Sequence, residues 1–444
     1  MTKRKQSVAP SYALGSGRWQ VYPSDPGNPG AGLWSTENIL PVVAFLVMVA
    51  YMPVAGNAVA LRWGVLWLIL PTLLIVSGGN DSPWMKLLGL ISFAVLSIAA
   101  MLRSPLLLDG ISEIISFMAL AMAFFIGLEC KSLHQVFRFA AYGIGLSSFI
   151  AVLQWLGYDP IINLARSPSG LFLNGNYMAE ASCLVLVGLL ASGSMTRPAK
   201  AVWLSILTVP AIILPSQQPK DRESPSNSKN WLLIFITLPA LLLPLHRGSM
   251  IALGIAGMTW LLSILSNNWR WKAGIGALLT IAIAVLWLNL NGFWIALPPS
   301  IAERLQIYHG AWNGLTWFGH GAGTFHGMFP LFAPPDMDTV AARPWNAHND
   351  ILELAFEYGV FAIIPVIFFG MCLPFASRSP LSYVLLVFVV EGFSDFPLFM
   401  PATGFLAALC AGHVCRDWDR NRVVEWLRRM VFRAGHPARR SAQA

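Results

Sequence analysis

Long apolar runs alternate with short polar connections along this chain. The first six lie at roughly 39–54, 58–77, 84–102, 111–128, 138–157 and 177–195. Each approaches the ~20 residues that carry a helix across a bilayer. Later runs at 231–245, up to about Ser266, and at 272–291, 358–376, 381–394 and 398–415 bring the expected total to twelve spans. Ala201–Pro215 is apolar but short and holds Pro210 and Pro215, so it is read as re-entrant or interfacial. The longest connection between runs is 297–357. It ends in a polar, aromatic and titratable stretch, Arg343 to Gly359, in which Ile351, Leu352, Leu354, Ala355 and Tyr358 recur at helical spacing. That spacing predicts an amphipathic turn leading into a helix. Asn346 or Asn349 is placed to cap it, because a short polar side chain accepts from unpaired first-turn amides. His348 then sits by the helix start, where the dipole favours the neutral imidazole, a form able to accept a proton.

Composition sharpens the class. Of the 444 residues, 56% are hydrophobic and only 11% charged, against about 25% charged in soluble domains. Mean hydropathy is +0.61. The chain reads as an all-α polytopic membrane protein. The net charge of +8 is concentrated at the ends: Lys3, Arg4 and Lys5 at the start, and eight arginines from Arg416 to Arg440 at the finish. Beside apolar runs, such basic segments mark cytoplasmic ends facing anionic lipid rather than nucleic-acid contacts. Residues 1–36 are expected to form a cytoplasmic tail, 37–415 the membrane domain and 416–444 a basic cytoplasmic tail. Lys131 with Arg138, Arg197 with Lys200, and Arg270 with Lys272 mark inner turns. The loops 158–176 and 297–357 and the turn at Arg247 then fall on the outer face. The five cysteines lie in or beside apolar runs and suggest neither disulfides nor a thiolate metal site.

The outer face collects Arg166, Arg247, Arg304, Arg343 and His348. An isolated arginine there ordinarily snorkels to the interface. Several are harder to explain that way, since the outer side should be depleted of them. Arginine's planar fork suits phosphate oxygens, and helix N-termini add amide donors. Gly319-His320-Gly321-Ala322-Gly323 looks like a phosphate loop but lacks the Lys-Ser/Thr ending, so a close-packed turn is the better reading. His309, His320, His326 and His348 lack zinc-helix spacing, and no metal is expected. Trp312, Trp317, Trp345 and Phe325 suit the membrane interface, or stacking on sugar rings. Glu180, Glu391 and Asp395 lie in or near spans, where ionisable groups face the protein interior.

Taken in order, these pieces resemble the O-antigen ligases and their relatives, the Wzy-type polysaccharide polymerases and bacterial protein O-oligosaccharyltransferases. The resemblance is carried by Arg166 ahead of Gly170 and Asn174-Gly175-Asn176, by Arg247-Gly248, by Glu303-Arg304, and by the glycines 319, 321 and 323 before Phe325. It continues with His348-Asn349-x-x-Leu352-Glu353-x-x-x-Glu357-x-Gly359 and Ser394-Asp395-Phe396-Pro397-Leu398. Two positions depart from the pattern: Gly175 replaces the usual proline, and His246 replaces the usual Ser or Thr before Arg247.

The resemblance implies a C-class glycosyltransferase in the bacterial inner membrane with a periplasmic active site and no cofactor. Its donor would be a glycan on undecaprenyl diphosphate and its acceptor lipid A-core or another glycan. His348 would be the catalytic base, with Arg166, Arg247 and Arg304 on the diphosphate and Arg343, Asn349, Asn176 and Glu357 in support. The expected function is therefore transfer of a lipid-linked polysaccharide to lipid A-core, with polymerase or protein glycosylation as alternatives. A transporter is the rival from another class. It would place its charges near mid-membrane and often carry internal repeats, whereas here the charges gather at one face.

Overall fold

The computed structural model describes residues 36–50, 58–76, 98, 101–160, 168–172, 174–192, 227–244, 246–265, 299–335, 337, 343–373 and 379–416. Arg166, the runs at 201–215 and 272–291, nearly all of 84–102 and both terminal tails lie outside them. The described residues form helices, turns and loops with no strand among them. The longer helices are α1 (Thr36–Val49), α2 (Ala58–Val76), α3 (Leu107–Glu129), α4 (His134–Trp155), α5 (Gly175–Ser192), α6 (Asn227–Leu242) and α7 (Arg247–Leu265). They continue with α8 (Pro299–Asn313), α9 (Asp350–Tyr358), α10 (Ile363–Cys372), α11 (Ser382–Glu391) and α12 (Pro401–Arg416).

Among the described residues, four helical stretches are long and apolar enough to cross a membrane: Leu107–Glu129, His134–Trp155, Gly175–Ser192 and Asp350–Cys372. Thr36–Val49, Val59–Leu74 and Ser382–Glu391 are shorter apolar helices. The apolar stretch expected to begin at 358 starts instead at Asp350, within the segment assigned to the outer loop. The reason is tertiary: Asp350, Glu353 and Glu357 are buried and engaged by backbone donors, two of them from distant segments, so these acids do not interrupt the helix.

A single large core joins α1, α2, α3, α4, α5, α6, α7, α11 and α12. With lipid outside as apolar as leucine, such helices associate by close packing and favour small residues where they cross. Accordingly, α3 and α12 lie so close that a Cβ on Gly127 would strike the backbone of Leu409, and one on Gly412 the backbone of Phe124. A satellite core of Ile307, Ala311, Phe325, Phe329, Ala347 and Phe356 holds the segment between α8 and α9 together. Phe325, considered above as an interfacial or sugar-stacking ring, is thus an interior residue. At one end of the bundle, the starts of α5, α7 and α9 meet the turn between α11 and α12.

A carboxylate-histidine candidate active site

Asp395 is the centre of this meeting point. After α11 the chain turns sharply, with the amides of Ser394 and Asp395 both donating to the Glu391 carbonyl at 2.9 Å. The turn drives the Asp395 side chain inward, where it is 1% exposed. Three separate segments then supply groups to it. His348 Nδ1 lies 3.0 Å from Oδ1. Arg304 Nη2, from α8, lies 3.6 Å from Oδ2, and Arg304 Nη1 also donates to the Ser394 carbonyl. His246 Nε2, just before α7, lies 3.6 Å from Oδ2 on another side.

His348 reaches this position through an uncommon backbone conformation. Its φ is 52°, the only positive value at a non-glycine among the described residues, and left-handed backbone costs about 1–2 kcal/mol for a side-chain-bearing residue. Neighbours hold it there. The Tyr308 hydroxyl donates to the His348 carbonyl at 2.7 Å, and the Phe396 ring meets the imidazole edge-on at 5.2 Å. Asn349 is the N-cap of α9, its side-chain oxygen accepting from the Leu352 amide at 3.0 Å. The Asp350 amide donates to the Gly392 carbonyl at 2.8 Å, tying the start of α9 to the turn that carries Asp395.

Buried acids fasten the loop below. Glu353 accepts from Asn346 Nδ2 at 2.8 Å and the Ala347 amide at 2.7 Å. Glu357 accepts from the Phe325 amide at 2.9 Å. Glu113, on α3, accepts from the Gly323 amide at 2.6 Å and the Tyr358 hydroxyl at 2.7 Å. The glycine-rich segment therefore has its amides directed at protein acceptors, with Gly321 also donating to the Glu357 carbonyl at 2.9 Å. At Gly323 (φ 67°) a Cβ would meet the backbone of Asp109. The segment is a packing seam rather than a phosphate cradle.

Burial would push the Asp395 carboxyl up, but the hydrogen bond to His348 and the positive charge of Arg304 outweigh it and hold the group below its ordinary range. Burial pushes the His246 imidazole down, and the nearby Asp395 opposes this only in part. The site thus pairs a charged carboxylate with a neutral buried imidazole. With its Nδ1–H given to Asp395, His348 keeps Nε2 as a free lone pair. The ring is 32% exposed, within reach of an incoming hydroxyl. A carboxylate orienting one tautomer and stabilising the imidazolium is a general arrangement for a histidine base.

Glu180, His246 and Asp395 are also close enough for a metal, their ligand atoms lying within 4.8 Å of one another. The hydrogen bonding argues against that use. The Ser249 amide donates to His246 Nδ1 at 3.3 Å, which assigns the proton to Nε2, the atom facing Asp395. Arg304 already supplies positive charge to the same carboxylate. The loop histidines are scattered: His320 bonds the Gly314 carbonyl, His326 the Pro344 carbonyl, and His309 lies near Asn313.

Of the residues expected from sequence, His348 and Arg304 converge on Asp395, and Asn349 positions the neighbouring helix. Arg247 opens α7 one residue after His246 and is exposed, as is Arg343. Asn176 is half-buried in the first turn of α5, its amide held by the Asn174 side chain at 2.9 Å. Sequence reasoning placed Asp395 among interior ionisable groups and within a motif, yet did not pair it with His348. The signal was an acid at a span edge, and the partner 47 positions away was invisible. Tyr308 and Glu113 gave no such signal.

The fold and site together define a helical membrane protein in which a buried carboxylate orients a half-exposed histidine beside an arginine. Residues 232–367 match the family model described as O-antigen ligase, which bears out the resemblance to that superfamily. The match covers less than half of the chain. It includes His246, Arg247, Arg304 and His348 and ends before Asp395. No curated protein matches the chain. The family supports a membrane glycan transferase of the ligase and polymerase type.

Proposed function

We propose that this protein is an inverting, metal-independent transferase that moves a polysaccharide from undecaprenyl diphosphate to lipid A-core on the periplasmic face of the inner membrane. The observation that carries this reading is the 3.0 Å bond from His348 to Asp395, which leaves Nε2 free to act. The acceptor hydroxyl gives its proton to Nε2 as its oxygen attacks the anomeric carbon. The bond to the diphosphate breaks and its electron pair leaves with the phosphate oxygen. Direct attack inverts the anomeric centre. The donor is already activated, so no nucleotide is consumed. Negative charge grows on the leaving diphosphate, where fixed guanidinium groups stabilise it in a low-dielectric setting. Arg166 and Arg247 are assigned to it. Arg304 contributes those of its five donors that Ser394 and Asp395 do not occupy.

The test uses purified protein, lipid-linked polysaccharide and lipid A-core with chelator present. Transfer by the wild type and a loss of about 10²-fold or more in His348→Ala are expected. Native turnover in His348→Ala, or abolition of wild-type activity by chelator, overturns the mechanism. A deletion strain separates the branches: free lipid A-core with accumulated long lipid-linked polymer indicates ligase, and single-repeat caps indicate polymerase.

A further inference from the structure

The reaction above leaves His246 without a role, although it faces the same carboxylate as the base. His246 is 8% exposed. Its ring is fixed from behind, with Nδ1 at 2.9 Å from Ser249 Oγ and accepting from the Ser249 amide. The residue two positions on, Gly248, must be small for the ring to lie there. A Cβ on Gly248 would come within 2.6 Å of Ser394 Oγ and 3.0 Å of His246 Cε1. The backbone thus brings a neutral N–H donor against the turn that carries Asp395.

We infer that His246 is a positioning residue acting through Asp395: its Nε2–H shares the carboxylate with His348 and so sets the pH at which His348 can take up a proton. The assignment of a reaction to His348 rests on the transferase reading, whereas the coupling itself is a property of the cluster. At 3.6 Å the His246 contact is longer than a hydrogen bond. The coupling is therefore electrostatic, the positive end of the N–H facing the carboxylate charge.

Each positive pole facing Oδ2 offsets part of the carboxylate charge and weakens it as a partner for imidazolium. Removing the His246 donor concentrates charge on the His348 side, so His348 holds its proton to higher pH. The other charged or titratable groups facing this carboxylate are Arg304 and Tyr308 from α8, Glu180 and Tyr177 from α5, Glu391 from α11 and Asp350 from α9. All are unchanged in the variants below, so the difference reports His246.

The experiment follows carbethoxylation of His348 by diethyl pyrocarbonate against pH in the purified full-length protein, read at the peptide level by mass spectrometry. Only neutral imidazole reacts, and no transfer activity is needed. His246→Phe fills the space without a donor and is expected to raise the reaction midpoint by about half to one pH unit. His246→Gln keeps a neutral donor and is expected to stay at the wild-type midpoint. In an Asp395→Asn background, His246→Phe should shift nothing, because the coupling passes through the carboxylate. An unmoved midpoint in His246→Phe, or equal shifts in Phe and Gln variants, overturns the inference. If the Phe variant fails to accumulate folded, His246→Asn, too short to reach Asp395, takes its place with the same expectation. A wild type without transferase activity would overturn the proposed reaction and leave this measurement standing.

Discussion

His348 and Asp395 form a pair in which each constrains the other. The left-handed backbone at His348 turns Nδ1 toward the carboxylate, and the carboxylate keeps its charge because the imidazole and Arg304 face it. Asp395→Asn should leave the ring unoriented and lower transfer by about 10²-fold, measured in the purified assay, while the protein still reaches the membrane. The same charge has a stability consequence. The folded-state pKa of Asp395 lies below its ordinary value of 3.8. Its contribution is therefore present above that pH and lost as the pH falls through the folded value. The melting-temperature gap between wild type and Asp395→Asn should narrow as the pH drops below about 3.8. A gap that widens in acid would contradict the assigned charge.

At the scale of elements, α9 is the lever of the site. Its first turn is capped by Asn349, its start is tied to the α11–α12 turn through the Gly392 carbonyl, and Glu353 and Glu357 carry the loop beneath it. Loss of an N-cap costs about 1 kcal/mol, and here it also loosens the backbone next to the base. Asn349→Ala is expected to lower thermal stability by about that amount and reduce turnover less than His348→Ala does. Asn349→Asp, which can still accept from Leu352, should restore stability. An alanine variant as stable as wild type would show that the cap is replaceable by water.

For the whole molecule, the topology proposed from charge puts α8 and the start of α9 on the periplasmic side and the Arg-rich tail inside. Trp317 is largely exposed in the loop after α8, which makes it a better reporter than the buried Gly310 nearby. A membrane-impermeant maleimide should label Trp317→Cys in cells with a permeabilised outer membrane and spare Arg420→Cys. The reverse pattern would overturn the orientation.

What the sequence determined by itself is what depends on spacing and composition. Apolar runs located most of the described helices, because burial in lipid or protein imposes the same periodic requirement on every turn. A cap at Asn346 or Asn349 was also legible, since capping is a contact across three residues, and the structure assigns it to Asn349. So was the interior placement of Glu180, Glu391 and Asp395, because ionisable groups near spans seek the protein interior. The tertiary structure alone decided which groups meet. Pairing His348 with Asp395, aiming His246 at the same carboxylate, and folding the glycine segment onto Glu113 each join positions far apart in the chain. Those contacts follow from helix packing and the turn at 392–395, and local pattern carries no record of either. The early start of the last long apolar helix at Asp350 has the same origin. Its acids look like loop residues until their partners, supplied by distant segments, are in place.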